Sequence, residues 1–171
     1  KKISDTCEDF KAFKKILLIG TGGSSLGSKA ILEAGSNDKI VFIENIDPNY
    51  VFKKIKSIKE KNILLIIISK SGETAEVITL YQLIIKYFSN FFNVKKNIII
   101  ITEENNSTLY KLGRKKNIKF IEHNPRIGGR FSCFSETGLI PVQLAGLNSI
   151  YITSLSNKTF KDCLHNNAFF L

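Results

Sequence analysis

The chain has 171 residues, with 25 lysines and arginines against 15 aspartates and glutamates, so its formal net charge is +10. With 43% hydrophobic residues, 11 glycines and 3 cysteines, its composition is that of one globular domain and excludes a disordered chain or a disulfide scaffold. The longest apolar run, residues 63–68, is too short to cross a membrane, and no arginine-rich cluster marks a nucleic-acid partner.

Short apolar runs alternate with amphipathic stretches in the first half of the chain. Residues 15–20 are an apolar run stopped by glycine, which predicts a buried strand, and residues 24–34 predict a helix. Residues 40–43 predict a second strand, and Asp47-Pro48 predicts a helix start with aspartate as the N-cap. The isoleucine-rich run 63–68 predicts a third strand covered on both faces. The apolar face expected for the first helix consists of Leu26, Ala30, Ile31 and Ala34.

The same alternation continues in the second half. Residues 73–88 predict the longest helix, whose apolar positions include Ala75, Ile78, Leu83 and Ile85. Residues 97–102 predict a fourth strand, residues 107–115 a helix capped by Ser107, and residues 118–121 a fifth strand. We expect a loop over 123–131, a helix over 134–145 interrupted by Pro141, and a weak amphipathic helix over 157–171.

Five strands that alternate with helices predict a parallel sheet with right-handed crossovers, in a doubly wound, flavodoxin-like α/β domain. Ligands of such sheets bind beyond the carboxyl ends of the strands, near the point where strand order reverses. This rule selects the loops after Ile19, Ile68 and Ile121. The predicted organisation is a lead-in over 1–13, the sheet domain over 14–150 and a helical tail over 151–171.

The loop after the first strand, residues 20–27, reads Gly-Thr-Gly-Gly-Ser-Ser-Leu-Gly. Its glycines let backbone N–H groups converge at a helix start, which is a favourable place for an anion. The spacing matches neither the dinucleotide motif GxGxxG, because Ser25 stands at the third glycine, nor a Walker loop. The alternative is a tight turn with Ser24 as a plain N-cap.

The loop after the third strand, residues 69–74, reads Ser-Lys-Ser-Gly-Glu-Thr and carries three hydroxyl groups at a helix start. Neutral hydroxyl and amide donors can bind a phosphate without a metal ion. Capping of the helix by Ser71 is the alternative, but capping needs one hydroxyl and the loop has three. We therefore favour phosphate binding.

The loop after the fifth strand contains Gly128-Gly129-Arg130-Phe131-Ser132. Arginine is rare in this chain, which has three of them beside 22 lysines, so the planar guanidinium of Arg130 points to a specific contact. The alternative is a surface arginine on a flexible loop. The two histidines, His123 and His165, are expected to be ordinary surface or loop residues, since neither has a metal-ligand or triad spacing. The cysteines are expected to be inert: Cys7, Cys133 and Cys163.

Taken in this order, the three loops resemble those of the phosphoglucose isomerase family, glycolytic enzymes built from sugar isomerase (SIS) domains. The first resembles that family's Gly-Ile-Gly-Gly-Ser-x-Leu-Gly-Pro and the second its Ser-Lys-Ser/Thr phosphate loop. The third, continuing through Gly138-Leu139-Ile140-Pro141, is similar to Gly-Gly-Arg-Phe/Tyr-Ser…Gly-Leu-Leu-Pro and is the most particular to the family. The resemblance covers residues 14–148 and implies the first SIS domain of a longer enzyme.

The resemblance implies a role for each matching position. Arg130 is implied to be the catalytic residue that stabilises the cis-enediolate formed as glucose 6-phosphate becomes fructose 6-phosphate. No metal or organic cofactor is implied, and the longer protein is expected to be a cytoplasmic homodimer. The residues implied to bind the phosphosugar are Gly23, Ser24, Ser69, Lys70, Ser71, Thr74 and Gly129.

Several features depart from the family pattern. Thr21 and Ser28 replace the usual isoleucine and proline, and Glu73 puts a carboxylate beside the expected phosphate. The family's proton-shuttling glutamate, ring-opening histidine and late lysine lie downstream of the Gly-Gly-Arg segment. Together with the lack of methionine, this predicts a piece of a longer protein that binds a phosphosugar weakly and does not isomerise it.

Two other functions compete with the isomerase. A stand-alone sugar-phosphate sensor shares the Ser-x-Ser-Gly-x-Thr loop but has no need of the Gly-Gly-Arg segment. A nucleotide-binding domain requires an acidic ribose ligand after the second strand, where Glu44 lies at an unconvincing place.

Overall fold

Five strands form one parallel sheet in the computed structural model, which describes residues 2–34, 37–88 and 96–165. Their order across the sheet is second, first, third, fourth, fifth, which confirms the doubly wound α/β prediction. The order reverses between the first and third strands. The strands are β1 (Lys15–Ile19), β2 (Ile40–Ile43), β3 (Ile63–Ile68), β4 (Ile98–Thr102) and β5 (Lys119–Glu122).

Helices cover both faces of this sheet. The α-helices, in chain order, are α1 (Lys2–Cys7), α2 (Gly23–Ala34), α3 (Pro48–Lys56), α4 (Ala75–Tyr87), α5 (Thr108–Lys116), α6 (Glu136–Leu144) and α7 (Ser149–His165). Buried side chains of α3, α4 and α5 pack against one face, and those of α1, α2 and α6 pack against the other. Two short 3₁₀ helices span Glu8–Phe10 and Gly129–Phe134.

The core consists of two apolar layers separated by the sheet. Alternate residues of β1 point to opposite layers, Leu17 and Ile19 to one, Ile16 and Leu18 to the other. All six residues of β3 are buried, which confirms the prediction of a strand covered on both faces. Each such side chain contributes about 1.5–3 kcal/mol on burial, so this central strand is a substantial part of the core.

Local signals set several helix starts. The carboxylate of Asp47 accepts a hydrogen bond from Tyr50 N at 2.7 Å, and Pro48 is the first helical residue of α3, as predicted. The hydroxyl of Ser107 accepts from Tyr110 N at 3.4 Å, which confirms the predicted cap of α5. No helix in the described part of the chain is long and apolar enough to cross a membrane.

The apolar face predicted for α2 is wrong at Leu26, Ala30 and Ala34, which are exposed, whereas Ile31 packs against the core as predicted. Leu26 is 59% exposed, and the buried positions are Ser25, Ser28 and Leu32. The buried hydroxyls are satisfied, since Ser28 Oγ donates to Ser25 O at 2.9 Å. Small side chains are needed there because α2 packs closely on the 3₁₀ helix Gly129–Phe134. In α4 the buried stripe is Val77, Leu80, Tyr81 and Ile84.

The carboxyl-terminal third also differs from the prediction. Residues 129–131, expected in a loop, open the second 3₁₀ helix, and α6 runs through Pro141 without interruption. Almost every side chain of α6 is buried, so its packing offsets the hydrogen bond that proline removes. Helix α7 begins at Ser149, eight residues before the predicted start, and residues 166–171 of the predicted tail helix lie outside the described residues.

Candidate functional site

The first two candidate loops leave adjacent strands at the carboxyl edge of the sheet. Ile19 of β1 pairs with Ile67 of β3, so the β1 loop (residues 20–24) and the β3 loop (residues 69–74) begin side by side. They flank the point where strand order reverses, which is where ligands of doubly wound sheets bind. Each loop leads into the amino end of a helix, α2 or α4, and the N–H groups there favour an anion.

The third loop reaches back to the first. A Cβ atom built on Gly23 would overlap the carbonyl oxygen of Gly129 and lie 3.0 Å from Arg130 N, so the two backbones are in direct contact. The buried hydroxyl of Ser132 donates to Gly23 O at 3.1 Å and to Gly129 O at 2.6 Å. The β5 loop (residues 123–135) is thereby fixed against the amino end of α2, with Arg130 at the same edge.

The hydroxyls of the β3 loop lie around one turn. Ser69 Oγ and Thr74 Oγ1 are 2.8 Å apart, and Ser69 Oγ also accepts from Gly72 N at 3.2 Å. Ser71 Oγ accepts from Glu73 N at 3.2 Å. The N-cap position of α4 is occupied by Thr74 and not by Ser71, which contradicts the alternative of a Ser71 cap. The Thr74 hydroxyl makes its hydrogen bond with Ser69 and none with the N–H groups of the helix.

The hydroxyl protons of this turn are mostly uncommitted. A serine or threonine hydroxyl has one proton to donate, and the Ser69–Thr74 contact uses one of two. Ser71 accepts a hydrogen bond, and its own proton has no acceptor among the described residues. Two hydroxyl protons at the amino end of α4 are therefore left without an acceptor among the described residues.

The β4–α5 connection holds the β3 loop in place. Gly72 has a φ of 70°, a value that favours glycine, and its carbonyl accepts from Leu109 N at 3.1 Å. Asn105 Nδ2 donates to Ser71 O at 3.1 Å. The carboxylate of Glu73 accepts from Thr108 N at 2.6 Å and from Thr108 Oγ1 at 2.8 Å. Glu73 thus caps α5 and turns away from the hydroxyl cluster.

Glu73 makes one contribution to stability that depends on pH. The hydroxyl and then the N–H of Thr108 hold the pKa of Glu73 below its ordinary value. A lowered pKa stabilises the fold above the ordinary carboxyl pKa, and this stabilisation is lost as the pH falls through the lowered value. We expect the difference in unfolding free energy between wild type and Glu73→Gln to shrink from about pH 7 to about pH 3. Urea unfolding across this range measures it, and a constant difference contradicts the contact.

The two cationic side chains of the candidate site, Lys70 and Arg130, differ in whether they are bound by other residues. Lys70 Nζ donates to Pro125 O at 3.0 Å and lies 3.5 Å from Glu103 Oε1, so this ammonium ties the β3 loop to the β5 loop. Arg130 is exposed, and its guanidinium has no hydrogen-bond or ion-pair partner among the described residues. Ser24 is the second residue of α2, not its N-cap, and is half-buried.

Glu44, the residue considered for a nucleotide ribose, is already engaged. One carboxylate oxygen accepts from Ser25 Oγ and the other pairs with Lys29 Nζ, both at 2.7 Å. The hydrogen bond with Glu44 raises the pKa of Lys29 above its ordinary value. Glu44 therefore fastens α2 to the end of β2, which argues against the nucleotide interpretation.

His123 lies in a loop, as one half of its prediction had it, but the expected surface position is wrong. His123 is fully buried directly after β5, and its Nδ1 lies 3.8 Å from Glu136 Oε2 at the start of α6. The pair was not found from the sequence because the residues are 13 positions apart. His165, in contrast, is exposed.

The cysteine prediction is consistent with the structure. Burial raises the pKa of the Cys7 thiol to about 11 and raises that of Cys133 as well. Cys163 is half-buried and unpaired among the described cysteines.

Residues 2–34, 37–88 and 96–165 contain no group of three or more side chains that could together hold a metal ion. A groove of about 870 Å³ does exist, but it lies along β5, α6 and α7 and contains none of the predicted site residues.

Comparisons with known proteins identify the family. The phosphoglucose isomerase family model matches residues 4–155. A glucose-6-phosphate isomerase from Campylobacter jejuni is 32% identical, over 91% of this chain and 39% of that protein. One from Borreliella afzelii is 36% identical, over 92% of this chain and 32% of that protein.

Solved structures agree with the sequence relatives. The crystal structure of a glucose-6-phosphate isomerase from Chlamydia trachomatis matches with a TM-score of 0.72 and 26% identity, over 84% of this chain and 28% of that one. The chain spans at most about two fifths of the length of these three proteins. The match over almost the whole of this chain shows that it belongs to the phosphoglucose isomerase family.

Proposed function

We propose that this chain is the phosphosugar-binding part of a glucose-6-phosphate isomerase, which interconverts glucose 6-phosphate and fructose 6-phosphate. The observation that carries the proposal is the joining of two features at one edge of the sheet. The hydroxyl cluster of the β3 loop supplies donors for a phosphate, and the Gly23–Gly129 contact brings Arg130 to the same edge. The relatives' names supply the substrate.

The phosphate is assigned to the turn between β3 and α4. Ser71 and one of Ser69 and Thr74 each have a proton to donate, and the amides in the first turn of α4 add partial positive charge. The amino end of α2, at Gly23 and Ser24, faces the same switch point from β1. A dianionic phosphate is thus met by neutral donors, so no metal ion is required for its binding.

Arg130 is assigned to the reacting end of the sugar. Removal of a proton from C2 of the open-chain aldose forms a cis-enediolate, whose negative charge lies on the oxygens of C1 and C2. An exposed guanidinium without a protein partner is free to stabilise that charge. The backbone of Gly129 lies beside it, and the Lys70 ammonium, bound to Pro125 O, fixes the loop that carries both.

A binding experiment tests this assignment. Glucose 6-phosphate, fructose 6-phosphate and a nucleotide are titrated by calorimetry into wild type and Ser71→Ala. We expect both sugar phosphates to bind and Ser71→Ala to weaken their affinity about tenfold, the lower end of the cost of one hydrogen bond to a charged group. Ser71 is a clean probe because its hydroxyl is exposed and accepts from one amide, whereas that of Ser69 also holds the turn together.

The matched control is Ser154→Ala, which removes an exposed hydroxyl of α7 that donates to Tyr151 O. It should leave both affinities unchanged. Equal binding of all three ligands, or of none, contradicts the proposal.

A further inference from the structure

His123 stands out among the buried polar residues of the described chain. Its backbone N donates to Thr102 O at 2.8 Å, which continues the ladder between β4 and β5 and fixes its position. Both ring nitrogens are inaccessible to solvent and have no hydrogen-bond partner among the described residues. Burial of an unpaired polar group is costly, so the imidazole calls for a partner.

Glu136 is the group placed to supply one. Its Oε2 is also buried and without a hydrogen bond, and lies 3.8 Å from His123 Nδ1. This separation exceeds the 2.7–2.9 Å typical of a charge-assisted hydrogen bond by about 1 Å. The side chain of Glu136 is one-third exposed and lines the groove beside β5, so it has room to move.

The other charged groups on the elements around His123 are already engaged or exposed. After β4, Glu103 pairs with Lys70 of the β3 loop, and Glu104 accepts from the hydroxyl of Tyr110. Arg114 of α5 and Lys119 and Glu122 of β5 line the same groove as Glu136 and are exposed. Glu136 of α6 is therefore the counter-charge for an imidazolium at position 123.

The two residues bracket the segment that carries Arg130. His123 precedes residues 124–135 and Glu136 follows them, so the pair closes the base of this segment. Other contacts also hold the segment, among them hydrogen bonds from Lys70 Nζ to Pro125 O, from Ser132 Oγ to Gly23 O and from Thr137 Oγ1 to Ser132 O. Of these contacts, the His123–Glu136 pair is the one that contains an imidazole, the side chain type that gains charge between about pH 8 and pH 5.

We propose that His123 and Glu136 are positioning residues that form a proton-dependent clasp at the base of residues 124–135. Charged His123 draws in Glu136 and closes the segment, and loss of that charge loosens it. Through the segment the clasp sets the position of Arg130, so its effect on ligand binding rests on the proposed function. Its effect on the segment itself does not.

Arg-specific proteolysis tests the clasp without a ligand, because Arg126 and Arg130 are exposed cleavage sites within the segment. Rates at about pH 6 and pH 8 are divided by those on a free peptide of residues 124–135, which removes the protease's own pH dependence. We expect the segment to be cut about fivefold more slowly at the lower pH, as for two coupled charged groups. Equal corrected rates in wild type overturn the proposal, whatever the variants do.

Variants separate the pair from a general effect of pH. Glu136→Gln and His123→Gln should each bring the ratio of the corrected cleavage rates at pH 8 and pH 6 to about one. The exposed control Glu122→Gln should keep the ratio of wild type. The chain has two histidines, so the substitution His165→Asn removes one set of ring signals from the NMR spectrum and assigns the remaining set to His123. Glu136→Gln should shift the signal of His123 and leave that of His165 in place. A ratio that survives both pair substitutions overturns the clasp.

A final measurement connects the clasp to the ligand. At about pH 6, Glu136→Gln should weaken glucose 6-phosphate binding about fivefold, with Glu122→Gln unchanged. Protection of the segment without any binding of sugar phosphate leaves the clasp standing and rejects the proposed function. Binding of sugar phosphate without pH-dependent protection rejects the clasp and leaves the proposed function standing.

Discussion

Replacement of Gly23 by alanine should lower the free energy of unfolding by about 3 kcal/mol, the upper end of the usual cost of overpacking. The new methyl group would overlap Gly129 O and lie 3.0 Å from Arg130 N. These are backbone atoms, so relief requires that the β5 loop move away from α2. That movement also breaks the hydrogen bond from Ser132 Oγ to Gly23 O. Urea unfolding followed by circular dichroism measures the loss.

Gly129→Ala is the matched control for this prediction. A Cβ on Gly129 has no atom of the described structure within 4 Å, and the residue does not have a positive φ. Its stability should stay within about 0.5 kcal/mol of wild type. Equal stability of the two variants contradicts the contact between the β1 and β5 loops.

The purified chain should bind glucose 6-phosphate and fail to isomerise it. Isomerisation needs a base to move a proton between C2 and C1, and such catalysis contributes about 10²–10⁴-fold. In the three loops of the candidate site the one carboxylate is that of Glu73, which is committed to Thr108, and the one imidazole is that of buried His123. A guanidinium has N–H donors and no acceptor, so Arg130 cannot serve as the base.

A coupled assay for fructose 6-phosphate measures this, with calorimetry on the same sample to show that it binds the sugar. The expected rate equals that of the blank. Arg130→Ala provides the control, because activity that survives this substitution comes from the expression host's own isomerase. Turnover that purifies with the chain and falls on Arg130→Ala shows instead that the three loops suffice for catalysis.

Short-range features of the site were predictable, and long-range ones were not. The Ser69, Ser71 and Thr74 hydroxyls lie within one turn, so their closeness in the sequence predicts that they form one cluster. The direction of Glu73 depends on Thr108, which is 35 residues away, and that of Lys70 on Pro125, which is 55 residues away. Such partners become neighbours when strands pair, and no pattern in the nearby sequence indicates them.

The sequence by itself determined the strands, their parallel arrangement and the caps at Asp47 and Ser107. Uniform apolar runs and capping side chains act over a few residues, so the strands and caps that they form can be predicted from the sequence alone. The tertiary structure decided which face of α2 is buried, that Gly23 touches Gly129, and that His123 meets Glu136. These outcomes depend on how closely separate segments approach, and that distance is set by the packing of the whole sheet and its helices.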